Sequence, residues 1–303
     1  METSRVVKPF SVLVTGGTGF VGRHLTLRLA DVGCTVHSIT RQQSLIQDNP
    51  GESGLHWHLH DGTTSGMIAI LQRTKPDIVI HLASLFLSQH TSQNLHDLID
   101  SNVLFGTQLL EAMDSCGVRL LLNTGTSWQN YQNALYRPVN LYAATKQAFE
   151  DIALYYCQAR NMSMLTLRLF DTYGPDDPRP KLLPLLKRAA RTGERLELSP
   201  GEQLIDLVYI DDVVDCFVCA CQRLFDGLVR SPEVFALSSG NPVSLQELVR
   251  LYVSVTHRPL NVEWGARPYR DREVMTPWNT GTVLPGWKAK MDLSRGLKHF
   301  DDF

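Results

Sequence analysis

Tyr142 and Lys146 stand four residues apart in Leu141-Tyr142-Ala143-Ala144-Thr145-Lys146, and on a helix that spacing puts a phenol and an ammonium on one face. An ammonium close to a phenol favours the phenolate and lowers a pKa that is about 10 in water. Such a phenol can exchange a proton with a carbinol or carbonyl oxygen while a hydride moves. Tyr-x-x-x-Lys alone is a common coincidence. It gains meaning here because it follows Thr124-Gly125-Thr126-Ser127 and, far upstream, a glycine loop.

That loop is Gly16-Gly17-Thr18-Gly19-Phe20-Val21-Gly22, entered from Val12-Leu13-Val14-Thr15 and left through a helical pattern. Glycines let backbone approach a pyrophosphate, and the helix N-terminus supplies free N–H groups and a positive dipole. The spacing departs from Gly-x-Gly-x-x-Gly, so a βα turn that merely packs closely is the competing reading. At the end of the second strand a carboxylate would repel a 2′-phosphate, whereas an arginine accommodates one. Thr40-Arg41 occupies that place, which points to NADP(H). Asp61, beside Gly62 just after the third strand, reads as an acceptor for the adenine amino group or equally as a turn aspartate.

The elements that must position these groups are legible as an alternation. Apolar runs at Ser11 to Thr15, Thr35 to Thr40, Leu55 to Leu59, Ile78 to Leu82, Leu120 to Asn123 and Leu165 to Leu169 read as strands. Gly22 to Val32, Leu95 to Ser115 and Leu141 to Arg160 carry helical spacing between them. This predicts an α/β, Rossmann-type doubly wound parallel sheet over residues 1–170. Past Leu169 the turn Gly174-Pro175-Asp176-Asp177-Pro178-Arg179-Pro180 opens a less regular region with a helix near Leu182 to Arg191. Residues 171–303 are expected to build mainly a smaller substrate lobe, with segments at about 204–240 returning to the sheet.

With 29 Lys+Arg against 31 Asp+Glu in 303 residues, the formal net charge is -2, which argues against a broad footprint for nucleic acid or anionic membrane. The N-terminus, Met1 to Phe10, lacks a signal-peptide core, no stretch reaches membrane-span length, and a cytoplasmic protein is expected. Cys34, Cys116, Cys157, Cys216, Cys219 and Cys221 follow no disulfide framework and read as free thiols. No metal site is expected from Cys216, Cys219 and Cys221, which lack partners at zinc-ligand spacing. His56, His58 and His60 alternate along one strand face, as at a solvated sheet edge. Asp211-Asp212 reads as a helix cap. Trp128 and Trp278 could line a sugar pocket or fill core, Trp128 being the better candidate because it follows Thr126 so closely.

On these motifs the chain resembles the short-chain dehydrogenase/reductase superfamily in its extended form, which acts on nucleotide-diphosphate sugars. The resemblance implies that Gly16, Thr18, Gly19, Phe20, Val21 and Gly22 bind the dinucleotide and that Leu82, Ala83, Ser84 and Thr124 line its nicotinamide side. It also implies that Asn102 lies on the helix beside the active site, and that Tyr142 is the proton donor. Lys146 would tune that donor and hold the nicotinamide ribose. Thr126 would hydrogen-bond the reacting sugar oxygen, with Ser127 next. A homodimer through the Leu95 to Ser115 and Leu141 to Arg160 helices is a further implication.

Narrower matches in Gly125-Thr126-Ser127-Trp128-Gln129, Pro138-Val139-Asn140-Leu141-Tyr142, Pro178-Arg179-Pro180-Lys181 and Ser199-Pro200-Gly201-Glu202-Gln203-Leu204-Ile205-Asp206 are similar to the reductases of the paratose and abequose synthase group. They imply NADPH-dependent reduction of the C4 ketone of a CDP-linked 3,6-dideoxy-4-hexulose. Two departures from the broad extended pattern bear on substrate. Asp171 stands where many relatives place asparagine, and Ile205 stands where many place a diphosphate-gripping arginine. Arg179, Lys181, Arg267, Arg270 and Arg272 are the remaining candidate cations for the diphosphate. An epimerase or dehydratase on the same scaffold is the alternative, dehydration being disfavoured because Ser127-Trp128 occupies the places of its added acid and base. A non-catalytic dinucleotide sensor would not need Tyr142 and Lys146.

Overall fold

Strands buried on both faces read as continuous apolar runs, and the core of this chain is built from them. The structure, a computed structural model, describes residues 9–44 and 54–302, so the reading of the first eight residues as free of a leader lies outside the described residues. Seven parallel strands form one sheet in the order β11-β6-β5-β4-β1-β2-β3. They are β1 (Ser11–Thr15), β2 (Thr35–Thr40), β3 (Leu55–Leu59), β4 (Ile78–His81), β5 (Leu120–Thr126), β6 (Ser163–Leu169) and β11 (Glu233–Leu237). The order reverses between β1 and β4. In open parallel sheets that is where a crevice forms beyond the carboxyl ends of the strands.

Alternation along each strand splits the core in two. Val12 and Val14 of β1 face one cluster with α1 (Phe20–Asp31) and α7 (Ile210–Phe225). Leu13, one residue between them, faces the other with α2 (Thr64–Thr74), α4 (Phe105–Ser115) and α5 (Leu141–Arg160). The span Leu95 to Ser115 is not a single regular helix. A short α3 (Leu95–Ile99) passes through a π-helical turn, Asp100–Leu104, before α4. Asn102 sits in that turn, and π turns re-aim the side chains they carry.

The remaining elements are β7 (Asp171–Tyr173), α6 (Leu182–Thr192), β8 (Arg195–Leu198), β9 (Leu204–Ile205), β10 (Leu207–Tyr209), β12 (Val243–Ser244), α8 (Leu245–Thr256), β13 (Asn261–Trp264) and α9 (Leu293–Asp302). They form three two-stranded pairings, β7 with β10, β9 with β12 and β8 with β13. The final strand of the large sheet, β11, would expose an edge. There Ala236 N donates to Thr282 O at 2.8 Å, so the chain near Val283 covers it.

Two local expectations are corrected. Asp212 does not cap its own helix: its carboxylate accepts from Lys290 N at 3.0 Å and Met291 N at 2.9 Å, tying down the C-terminal segment. Two of the histidine row, His56 and His58, lie on the edge strand β3 and are half-buried there. His58 Nε2 lies 3.0 Å from His37 Nδ1, its Nδ1 lies 3.0 Å from Arg73, and burial pushes both imidazoles down to about 4. His60 lies beyond the strand end and is buried. All six cysteines are free thiols. Among the described residues no helix is long and apolar enough to cross a membrane, and no three His, Cys, Asp or Glu side chains gather into a possible metal site.

Candidate active site

The glycine loop leaves β1 with Gly16 at φ +74°, where a Cβ would stand 2.7 Å from Ala83 N. A Cβ on Gly22 would stand 2.1 Å from Gly16 O, so helix α1 starts this close to the loop only with glycine there. Gly19 N donates to Gly16 O at 3.0 Å, and Gly19 caps α1 without a side-chain acceptor. The first-turn N–H groups of Phe20, Val21 and Gly22 therefore keep their positive end for an anion, with Thr18 exposed at the turn. The Phe20 side chain is buried beneath the Arg179 guanidinium, 4.4 Å from its ring centroid, so only its backbone is on offer.

Arg41 is exposed just past β2. Asp61 adopts the turn geometry: its Oδ1 accepts from Thr63 N and Thr63 Oγ1, each at 2.8 Å, and these bonds hold its carboxyl below the usual range. Gly62, at φ +87°, presents its carbonyl to Gln108 Nε2 at 3.1 Å.

On the β4 side the loop Leu82-Ala83-Ser84-Leu85 is pinned at both ends. Thr15 O accepts from Leu82 N at 3.2 Å, and Thr15 Oγ1 accepts from Ala83 N at 3.2 Å while lying 2.9 Å from His81 Nδ1. Burial and the nearby Lys146 push His81 down to about 3, so it is neutral and shares a hydrogen bond with the Thr15 hydroxyl. At the other end Asn102 Oδ1 accepts from Leu85 N at 2.7 Å, and its Nδ2 donates to Leu85 O and Thr145 Oγ1, each at 3.0 Å. The Asn102 amide is thus engaged by the protein, and the residue acts by positioning. Thr124 Oγ1, by contrast, is buried without a partner among the described residues, an orphan that a ligand group would satisfy.

Tyr142 and Lys146 do share the inner face of α5, which Asn140 caps by accepting from Ala143 N at 2.9 Å. Their electrostatics differ from the expectation. Burial pushes the Tyr142 phenol up to about 12; a Ser84 hydrogen bond and the Arg179 charge oppose that, and Lys146 is not among the groups acting on it. Burial lowers Lys146 to about 8, with Glu150 acting in the opposite sense. Desolvation therefore outweighs the i,i+4 pairing, and the phenol is neutral at physiological pH.

Thr126 caps the short turn Ser127–Gln129, its Oγ1 accepting from Trp128 N at 3.3 Å, which leaves its own proton to donate. Beneath it lies a network that sequence reasoning missed. Gln129 Oε1 accepts from Thr126 N at 2.9 Å, Gln129 Nε2 donates to Glu150 Oε1 at 3.0 Å, and Glu150 Oε2 pairs with Arg168 at 2.9 Å. The signal available was Glu150 one further helical turn past Lys146.

Beyond this opens a cavity of about 890 Å³. It gathers Ser127, Trp128, Asp171, Arg179, Lys181, Arg267, Arg270 and Arg272 on its wall, with Ile205 among them. Thr126, Tyr142 and Lys146 are not on that wall; Phe86 is, and its ring lies 5.0 Å from that of Tyr142. The expected cations are not equally available. Arg179 is bidentate to Asp177 at 2.7 Å per bond and also donates to Thr172, and Lys181 pairs with Asp171 at 3.2 Å. Arg267 and Arg270 hold only loose, exposed contacts to Glu197 at 3.8 Å and Glu273 at 3.9 Å. Arg272 lies over the Tyr131 ring at 4.6 Å, and its buried Nε has no hydrogen-bond partner among the described residues. The second tryptophan, Trp278, does not line the cavity itself but stacks on Phe170, which does.

Comparison with known proteins follows the same outline. The model of the NAD dependent epimerase/dehydratase family matches residues 12–235. CDP-abequose synthase of Salmonella typhimurium is 28% identical over 298 residues, 95% of this chain and 96% of that protein. UDP-glucose 4-epimerase of Rhizobium leguminosarum bv. trifolii is 24% identical over 318 residues, 95% of each chain. The solved structure of MoeE5 in complex with UDP-glucuronic acid and NAD superposes with a TM-score of 0.81 at 25% identity, covering 96% of this chain and 98% of that one.

Proposed function

The chain belongs to the NAD dependent epimerase/dehydratase family, and we propose that within it this enzyme reduces the C4 ketone of a nucleotide-diphosphate 3,6-dideoxy-4-hexulose, CDP-linked, with NADPH. The glycine cradle and the orphaned Thr124 hydroxyl fit a nicotinamide dinucleotide, which when bound supplies the hydride. Backbone N–H groups of Phe20, Val21 and Gly22 hold its pyrophosphate, Arg41 its 2′-phosphate, and Lys146 the ribose on the nicotinamide side. Asp61, beside Gly62, completes the adenine end.

At the sugar, the Thr126 hydroxyl donates to O4 and polarises the ketone. As C4 becomes tetrahedral, Tyr142 gives its proton to O4. The observation that carries this reading is the glycine cradle leading to Thr126 and to Tyr142 and Lys146 on one face of α5; the Tyr142 phenol, pushed up by burial, starts protonated and can serve an alkoxide, a stronger base than a phenolate. Arg267, Arg270 and Arg272 take the diphosphate in place of the arginine replaced by Ile205, with Lys181 and Arg179 setting the wall between diphosphate and sugar. The similarity to CDP-abequose synthase over nearly the whole chain supports the nucleotide and the deoxysugar.

The likeness to UDP-glucose 4-epimerase supports a second reading, in which NAD stays bound and the hydride returns to the sugar. Identifying the dinucleotide released on denaturing the purified protein separates the two. Stoichiometric NAD in every molecule favours epimerisation; an exchangeable site that consumes NADPH favours reduction. The exposed Leu95, Ile99, Leu104, Leu154 and Tyr155 on α3, the π turn and α5 support a homodimer through those helices, and the near-balanced formal net charge of -2 fits a cytoplasmic enzyme.

A further inference from the structure

Phe86 is a large apolar side chain left 44% exposed at the mouth of the buried site. Its position is unusually constrained for an exposed residue. On one side Asn102 holds both backbone polar groups of Leu85. On the other, Asn140 Nδ2 donates to Leu87 O at 3.2 Å and Ser88 O at 3.0 Å, while the same side chain caps the helix that carries Tyr142. The ring is thereby fixed edge-to-face against Tyr142 at 5.0 Å, tilted against Trp128 at 5.7 Å, with Lys181 Nζ 5.5 Å from its centroid. Packing alone does not call for such bracing, because an exposed phenylalanine contributes little burial.

We propose that Phe86, backed by Trp128, is the specificity wall that selects a ketosugar lacking a hydroxyl on C3, the carbon flanking the C4 carbonyl that could carry one. The inference rests on the reading of Tyr142 as donor to O4, and deepens it. With Tyr142 at O4, the ring beside it faces a carbon next to C4. A C–H surface there gains contact with the aromatic face, whereas a hydroxyl would give up water for no partner. An apolar wall rejects an added hydroxyl by about tenfold to a hundredfold, not by orders beyond that.

The test compares matched CDP-linked 4-ketosugars that differ only by a hydroxyl at C3, using kcat/KM with NADPH and, independently, equilibrium binding to the protein loaded with the oxidised dinucleotide. The wild type favours the 3-deoxy member by about tenfold or more, Phe86→Ser collapses that ratio with unchanged thermal unfolding, and Phe86→Leu keeps it. A ratio unchanged in Phe86→Ser, in both measurements, overturns the proposal. If binding selectivity collapses as expected but no ketosugar is reduced, the wall stands and the reductase reading fails.

Discussion

The buried Glu150 carboxylate meets the Arg168 guanidinium at 2.9 Å, and through Gln129 the same carboxylate reaches the main chain of Thr126. One ion pair thus supports the residue proposed to donate to the sugar oxygen and, one helical turn from Lys146, opposes the loss of charge that burial imposes on that lysine.

Removing one partner of this pair leaves the other buried and uncompensated. Glu150→Ala is expected to destabilise the protein by about 3–5 kcal/mol in denaturant unfolding. Replacing both Glu150 and Arg168 by apolar residues of similar volume should recover part of that loss.

Lys146 titrates in the folded state near 8, below its unfolded value, so the folded protein binds fewer protons than the unfolded chain above that point. Its contribution to stability therefore improves as pH rises from about 8 toward about 10.4. Tyr142 acts oppositely, losing stability as pH climbs from about 10 toward 12. Lys146→Met, which removes the buried ammonium, should abolish turnover yet stabilise the fold at neutral pH by up to about 3 kcal/mol, read by thermal and denaturant unfolding. In the wild type kcat/KM should fall as pH passes about 8 and the ammonium is lost.

Gly22→Ala places a Cβ on Gly16 O and must push α1 away from the loop. Overpacking of this kind costs about 1–3 kcal/mol, so dinucleotide affinity should fall roughly tenfold or more by calorimetry, with circular dichroism unchanged.

Arg41→Asp is expected to reverse the preference between NADPH and NADH by at least about tenfold in kcat/KM, because a carboxylate accepts from a ribose hydroxyl and repels a phosphate. A preference that does not move would remove Arg41 from the cofactor site.

Much of this was readable before any coordinates. Strands such as Ser11–Thr15 and Ile78–His81 are announced by apolar runs that a doubly buried parallel sheet demands, and the glycine loop and the Tyr142 to Lys146 spacing are local patterns. What escaped was long-range. Asp212 serves backbone groups nearly eighty residues away, Phe86 is fixed by Asn102 and Asn140 from two different helical segments, and Arg179 is spent on Asp177. The phenol's acidity was misjudged because spacing registers the neighbouring ammonium but not the depth of burial. Helix α2 (Thr64–Thr74) was left unread between β3 and β4, and its start is set by the cap Thr63 Oγ1 gives to Gly66 N at 3.0 Å.

The most direct measurement is oxidation of NADPH, followed by absorbance, with a panel of nucleotide-linked 4-ketosugars and product identification at C4, for the wild type beside Tyr142→Phe. The account predicts stoichiometric reduction of a CDP-linked 3,6-dideoxy-4-hexulose by the wild type and a loss of about 10²-fold or more in Tyr142→Phe with the fold intact. Failure of every ketosugar to oxidise NADPH, or undiminished turnover by Tyr142→Phe, would contradict it.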